Sequence, residues 1–299
     1  RNMFHKTAQL KGHQAAVYTT AKGREPGFFL SGSGEGWIVQ WQWSNPDMGK
    51  LLAKLEGQVF AVIQLARRPL IVAGDMNGGL HWIDLENPAN NRDIAHHKKG
   101  VFSLLDLEHG LISAGGDGRI TRWAVEEMRA AESLLLSHQS LRCLDYCPAR
   151  NELATGASDR NIYILDAETL EIKHQIPKAH LNSVFTVRYA PDGSYMLSGG
   201  RDAHLKVWDT ANWKQTHSIP AHWYTINDIA FHPQGHLFAT ASRDKTVKIW
   251  DAGTFKLLQV LGPFRQGGHL NSVNTLLWQE NGLVSGSDDR TLILWEPTS

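Results

Sequence analysis

The sequence predicts an all-β chain: a seven-bladed β-propeller of four-stranded antiparallel blades, forming a single domain over residues 1–299. Three observations carry this. Apolar segments of one register recur seven times, short β-type runs fill each copy, and turn residues separate the runs. The segments IVQWQ, LHWID, ITRWA, IYILD, LKVWD, VKIWD and LILWE place anchors at Trp41, Ile83, Trp123, Leu165, Trp208, Trp250 and Trp295. Their spacings of 42, 40, 42, 43, 42 and 45 residues match the period of a four-stranded propeller blade, roughly 40–45 residues.

The sixth copy shows how each blade is assembled. INDIAF, LFATAS, TVKIW and FKLLQVL alternate or run apolar over strand length. HPQG, RDK and DAGT separate them and supply turn chemistry. Equivalent turns are Pro191-Asp192-Gly193, Glu280-Asn281-Gly282 and Glu108-His109-Gly110. β-branched and aromatic residues fill the strands, as a half-buried pleated surface favours. The stretch AVEEMRAAESLLL from Ala124 has some helical character, and is assigned to a long turn followed by the outer strand of blade three.

Composition narrows the function classes. Thirty Lys and Arg balance thirty Asp and Glu, so net charge offers no bulk attraction for nucleic acid or an anionic membrane. Two Cys make no disulfide framework, which points to a reducing compartment and a cytoplasmic location, with the nucleus left open. No apolar run reaches the ~18 residues of a spanning helix, and RNMFHKTAQL has no signal-peptide core. The excess of Trp (11) and His (15) is what a repeated motif leaves behind.

A polar set recurs with the anchors. Ten residues before each anchor lie Ser31, Ala73, Ser113, Thr155, Ser198, Thr240 and Ser285. Six before it lie Glu35, Asn77, Asp117, Asp159, Asp202, Asp244 and Asp289, and upstream of each strand set lie His13, Gln58, His97, His138, His180, His222 and His269. These copies, with Trp-Asp itself at 208–209 and 250–251, resemble the WD-repeat (WD40) family, the propellers typified by the β subunit of heterotrimeric G proteins. The resemblance covers about residues 3–297. It implies that the strand near Met3–Leu10 completes the last blade and closes the ring, which would protect sheet edges. It also implies that the Ser-His-Asp set is no catalytic triad but a hydrogen-bond chain from Asp to His to Ser/Thr to Trp, repeated blade by blade. The set is complete as His97-Ser113-Asp117-Trp123, His180-Ser198-Asp202-Trp208, His222-Thr240-Asp244-Trp250 and His269-Ser285-Asp289-Trp295. Blade one substitutes Glu35, blade four substitutes Leu165, and blade two has lost every member.

In the family the residue five after the motif His reaches the narrow face. Carried over, this gives Tyr18, Ile63, Phe102, Phe185, Asn227 and Asn274, with Arg142 from the shorter blade four. The residue before the turn acid adds Gly34, Met76, Gly116, Ser158, Arg201, Arg243 and Asp288, and Trp223 and Tyr224 follow His222. Small groups (Ala16, Ala61, Gly100, Ser140, Ser183, Thr225, Ser272) line the approach. The expected face carries an apolar arc (Tyr18, Ile63, Met76, Phe102) and an Arg cluster (Arg142, Arg201, Arg243) around Phe185, a hot-spot composition. The function this implies is a non-catalytic scaffold or adaptor, a monomeric propeller within a larger assembly, docking a protein or peptide with acidic and apolar side chains. A reader of nucleic acid or of a modified peptide and a propeller enzyme are the rival readings. A nucleic-acid reader would want a net basic surface, an aromatic cage for a methylated cation is disfavoured by the three Arg nearby, and an enzyme lacks convergent acids or His outside the repeat register. No cofactor or metal is expected: His232 and His236 flank a turn, Cys143 reads as a small buried hydrophobe, and the Gly pairs open no helix.

Amide exchange read by mass spectrometry should be faster in blade two than in blades five to seven. Equal protection across the blades would refute the idea that the missing polar set weakens blade two.

Overall fold

The structure, a computed structural model, describes residues 3–299. Among them, strands form seven four-stranded antiparallel sheets in succession, and Pro88–Asn90 and Pro148–Arg150 are the only helical turns, each a single 3₁₀ turn. The fold is a seven-bladed β-propeller. The described chain divides into two compact units, one running up to Gln64 and resuming over Asn227–Ser299, the other Leu65–Ile226.

The first unit holds blade one (Val17–Lys22, Phe28–Ser33, Trp37–Gln42, Lys50–Lys54) and blade seven (Val273–Gln279, Gly282–Ser287, Leu292–Pro297). The N-terminal strand Phe4–Leu10 pairs antiparallel with Leu292–Pro297 and supplies blade seven's fourth strand. Gln259, buried on blade six's outer strand Leu257–Leu261, fixes this added strand. Its Oε1 accepts from the backbone N of Met3 and Phe4 (3.1 and 2.9 Å), and its Nε2 donates to the Phe4 carbonyl at 2.9 Å. Blades seven and one are joined by Gln279, which takes the Trp43 indole N–H at 2.7 Å and donates to the Phe28 carbonyl at 3.0 Å.

The second unit holds blade three (Val101–Leu107, Gly110–Gly115, Arg119–Ala124, Arg129–Leu135), blade four (Leu141–Cys147, Glu152–Ala157, Ile162–Asp166, Ile172–Ile176) and blade five (Val184–Tyr189, Tyr195–Gly200, His204–Asp209, Gln215–Pro220). The stretch after Ala124 is a short turn and an outer strand, not a helix. Burial follows strand position. Second strands such as Gly110–Gly115 and Glu152–Ala157 are buried at every residue, while Arg129–Leu135 has no buried residue. A strand covered on both faces by other blades favours small or apolar side chains, as in GLISAG and ELATGA; the buried exception, Glu152, is paired with Lys173 at 2.9 Å and with the Tyr189 hydroxyl at 2.8 Å. The anchors Trp41, Trp123, Trp208, Trp250 and Trp295 are all buried. Each removes about 4–6 kcal/mol worth of apolar surface from water as an upper bound.

Every blade's central hairpin has one left-handed residue, directly after the turn-acid position. It is Gly36, Gly78 and Gly118 in blades one to three (φ 90, 98 and 77°), then Arg160, Ala203, Lys245 and Arg290 (φ 77, 63, 75 and 74°). A Cβ on Gly118 would collide with the Ser137 carbonyl oxygen, where the loop entering blade four crosses the hairpin. Gly118→Ala should therefore cost more than the ~1–2 kcal/mol of the backbone conformation alone. Ala203→Gly relieves the same conformation without a clash, and should gain about 0.5 kcal/mol after the entropy cost of Gly. Urea midpoints of the two variants should move in opposite directions.

Candidate interaction site

The polar set forms continuous hydrogen-bond chains. In blade five the Trp208 indole donates to Ser198 Oγ (2.8 Å), Ser198 Oγ meets His180 Nε2 (2.7 Å), and His180 Nδ1 meets Asp202 (3.0 Å). Blade three repeats this with Trp123, Ser113, His97 and Asp117 at 2.8, 2.7 and 3.0 Å, and blade seven with Trp295, Ser285, His269 and Asp289 at 2.9, 2.8 and 2.8 Å. Blade one uses Trp41, Ser31, His13 and the longer Glu35. In blade six, Trp250 donates to Thr240 at 2.9 Å, and His222 is buried. An indole can only donate, and an ionised carboxylate can only accept. With a neutral imidazole the chain therefore runs one way: Nδ1–H to the acid, Ser O–H to Nε2, indole N–H to Ser Oγ. Burial lowers the pKa of His13 and His97 and so favours this neutral form, against the opposing pull of Glu35 and Asp117.

The acid also grips the loop entering the blade. Asp202 accepts from Leu181 N (3.0 Å) and His204 N (3.1 Å). Burial opposes its charge, but the hydrogen bond and charge of His180 and these N–H groups outweigh it, holding its pKa at about 2. Asp289 is held at about 2 in the same way, burial being outweighed by His269 and Thr291. Ser113, Ser198 and Ser285 are 0% exposed, so their hydroxyls are out of a substrate's reach.

Blades two and four depart from the set. His138 is exposed; the buried residue at that point is Ser137, whose hydroxyl donates to Asp159 at 2.8 Å. Tyr163 also donates to Asp159, and with Leu165 in place of Trp the buried Thr155 hydroxyl has no partner among the described residues. In blade two, Gln58 is not at the His position. Leu55 is, because its N–H donates to the Gly36 carbonyl (2.7 Å) as that of His97 does to Gly78 (3.0 Å). Blade two carries a replacement drawn from other positions: His81 links Asp75 and Asp93, at 2.7 Å to each.

The loop end of each blade is shaped by a bulge. Pairing of the first and second strands slips one residue between Val17 and Thr19, Val101 and Ser103, Leu141 and Cys143, Val184 and Thr186, and Val273 and Thr275. The skipped residues are Tyr18, Phe102, Arg142, Phe185 and Asn274. A bulged residue leaves the ladder and its side chain is re-aimed. Beside each, one backbone bond brings in the hairpin: Gly34 N to Ala16 O, Gly116 N to Gly100 O, Ser158 N to Ser140 O, Arg201 N to Ser183 O and Asp288 N to Ser272 O, at 2.7–3.0 Å. By this register blade two presents Phe60, one residue past Val59 as Tyr18 is past Val17, and not Ile63, which is half-buried further along the strand. Phe60 stacks edge-on against Tyr18 with centroids 5.4 Å apart.

In the first unit this end is largely self-satisfied. Asn274 Nδ2 donates to Asp288 Oδ1 (2.7 Å) and Val17 O (3.0 Å), and Asn227 Nδ2 donates to Ser272 Oγ (3.1 Å) and Val273 O (2.9 Å). In the second unit the Arg142 guanidinium lies 4.1 Å from the Phe102 centroid and 4.4 Å from that of Phe185, with Arg201 6.0 Å from Phe185. Burial lowers the Arg142 pKa, and the charge of Arg201 adds to the effect. Of the expected Arg trio, Arg142 and Arg201 lie in the second unit and Arg243 in the first. Met76 and Tyr224 are exposed in the second unit, and Trp223 is 87% exposed. Leu181, which directly follows His180 and was not among the expected face residues, is 81% exposed. Its position after a motif His, matching that of Trp223, was the signal available in the sequence. Elsewhere, the His232 and His236 rings lie 4.5 Å apart, yet among the described residues no group of three His, Cys, Asp or Glu could hold a metal ion. Cys143 and Cys147 are buried free thiols.

Seven sheets with a recurring buried indole–hydroxyl–imidazole–carboxylate chain define a WD-type repeat propeller. The family described as "WD domain, G-beta repeat" (WD40) matches residues 132–166, 172–209, 213–251 and 256–296, just over half of the chain, and the chain belongs to this family. A Danio rerio protein named THO complex subunit 6 homolog is 30% identical over 139 residues, 43% of this chain and 42% of that protein, so the match spans less than half of that relative. WD repeat-containing protein SL1-17 of Schistosoma mansoni is 23% identical over 219 residues, 69% of each chain. The WD40 β-propeller domain of Doa1 superposes with a TM-score of 0.85 at 19% identity, over 98% of this chain and 96% of that one, a likeness of fold.

Ser198→Ala strips two buried partners, Trp208 Nε1 and His180 Nε2, of their bonds, and should cost about 2–4 kcal/mol in urea unfolding. Acid provides a second check. Asp202 and Asp289 have folded pKa values of about 2, below the ordinary 3.8, so their contribution is complete above pH 4–5 and is lost as pH falls toward 2. Asp202→Asn should be less stable than wild type at neutral pH and lose less on acidification, with the two midpoints converging.

Proposed function

We propose that this chain is a non-catalytic interaction scaffold whose bulge-bearing narrow face docks a peptide or partner loop with acidic and apolar side chains. The observation that carries this is the second unit's loop end, where Arg142 and Arg201 flank Phe185 and have no acidic partner among the described residues. Leu181 and Trp223 stand exposed in the same unit. Preformed strand-anchored positions lose little entropy on docking, and aromatic and Arg side chains supply most interface energy. Family membership supports a scaffold, and a relative named as a complex subunit supports a role within an assembly. The buried Ser hydroxyls remove the one triad-like arrangement from consideration as a hydrolase centre. Two buried free thiols fit a reducing compartment, and among the described residues no helix is long and apolar enough to cross a membrane.

Affinity capture followed by mass spectrometry tests this with wild type, Arg201→Glu and Trp223→Ala, both sites being on exposed loops. The expected result is a set of proteins retained by wild type and lost by both variants, with urea midpoints unchanged. Identical capture by all three proteins would move the interface elsewhere.

A further inference from the structure

We propose that the Arg142–Arg201 pair is a receptor for a dianionic group, a phosphoryl group or two adjacent carboxylates, presented by the docked segment. This deepens the scaffold proposal and rests on it. The contrast with the ion-paired Arg of the same unit is the starting point. Arg122 pairs with Glu132 (3.1 Å) and donates to the carbonyls of Ala167 and Glu168 (2.6 and 2.8 Å). Arg150 meets Glu152 at 3.2 Å, Arg188 meets Asp145 at 3.6 Å, and Arg68 meets Glu126 at 2.6 Å. Arg142 and Arg201 form no ion pair among the described residues, and the charge of Arg201 acts on Arg142.

Arg201 is exposed, but Arg142 is half-buried, and withdrawing a guanidinium from water without a counter-charge is costly. Two Phe rings offset part of that cost through cation–π contact and flank the Arg142 guanidinium at 4.1 and 4.4 Å. The backbone fixes the rest. The Leu141/Cys143 bulge turns Arg142 out of the ladder, and Arg201 N is bonded to Ser183 O at 3.0 Å. Gly200 permits that approach, since a Cβ there would collide with the Ser183 carbonyl. The result is two guanidinium groups of like charge on backbone-anchored positions beside one ring, Phe185. One carboxylate would neutralise one of them; a dianion neutralises both and offers enough oxygens for paired N–H bonds.

Titration of the whole chain with O-phosphoserine and with glutarate, at constant ionic strength, tests the assignment by NMR of the Arg Nε–Hε signals. Saturable shifts at Arg142 and Arg201 are expected with at least one probe, weakened about tenfold or more by Arg201→Gln. Arg142→Lys keeps the charge and loses the fork, and should weaken binding similarly. If phosphoserine binds and its affinity falls below pH 6, as the phosphate takes up a proton, the partner group is phosphoryl. If glutarate binds better and holds to lower pH, it is a carboxylate pair. Absence of saturation with both probes, or saturation that survives Arg201→Gln and Arg142→Lys, overturns the inference. Loss of partner capture in Arg201→Glu alongside absent anion binding would leave the scaffold proposal standing and remove only this one.

Discussion

The buried chain from indole through hydroxyl and imidazole to carboxylate is the constraint on which the rest of the molecule depends. A blade's strands can be held by backbone pairing and apolar packing alone, but the loop that enters it cannot. That loop must be placed by a few directional bonds. Asp202 supplies them by accepting from the imidazole and from the N–H groups of Leu181 and His204 together. Because Ser198 must serve both Trp208 and His180, the loop, the hairpin and the third strand are positioned by one chain of contacts. The positions next to it, the bulge residue and the residue before the acid, inherit that rigidity.

This explains which features the sequence shows. The anchors and the polar set must repeat, because each blade meets the same packing problem, and so the period is readable from Trp and His alone. Blade seven's fourth strand is readable too, since seven anchors leave Phe4–Leu10 without a blade of its own. Where the polar set decays, the register is lost with it. In blade two no His marks the entering loop, and counting from Gln58 slides the presented position from Phe60 to Ile63. In blade four an exposed His sits beside the true position, Ser137, and imitates the motif.

What sequence spacing could not show is compensation. Blade two's Asp75, His81 and Asp93 lie on two hairpins and become neighbours only through strand pairing. The imidazole and carboxylates there use the same chemistry as the regular set from different strands. Blade four instead recruits Tyr163, from the third strand, to the turn acid. Its Thr155 hydroxyl has no partner among the described residues, which is the cost of replacing Trp by Leu165 while keeping the hydroxyl.

The bulge position separates architecture from recognition. Its backbone role is the same in every blade where the ladder slips, so the side chain is free to differ: Tyr18, Phe102, Arg142, Phe185 and Asn274. In blade seven the Asn274 amide is spent on Asp288 and the Val17 carbonyl, so the position stabilises the molecule itself. In blade four the same position holds a cation set between two aromatic rings, 4.1 and 4.4 Å from their centroids. Among the described residues Arg142 makes ring contacts with Phe102 and Phe185 and no ion pair. The proposed anion site thus draws on a position that the architecture leaves free to vary.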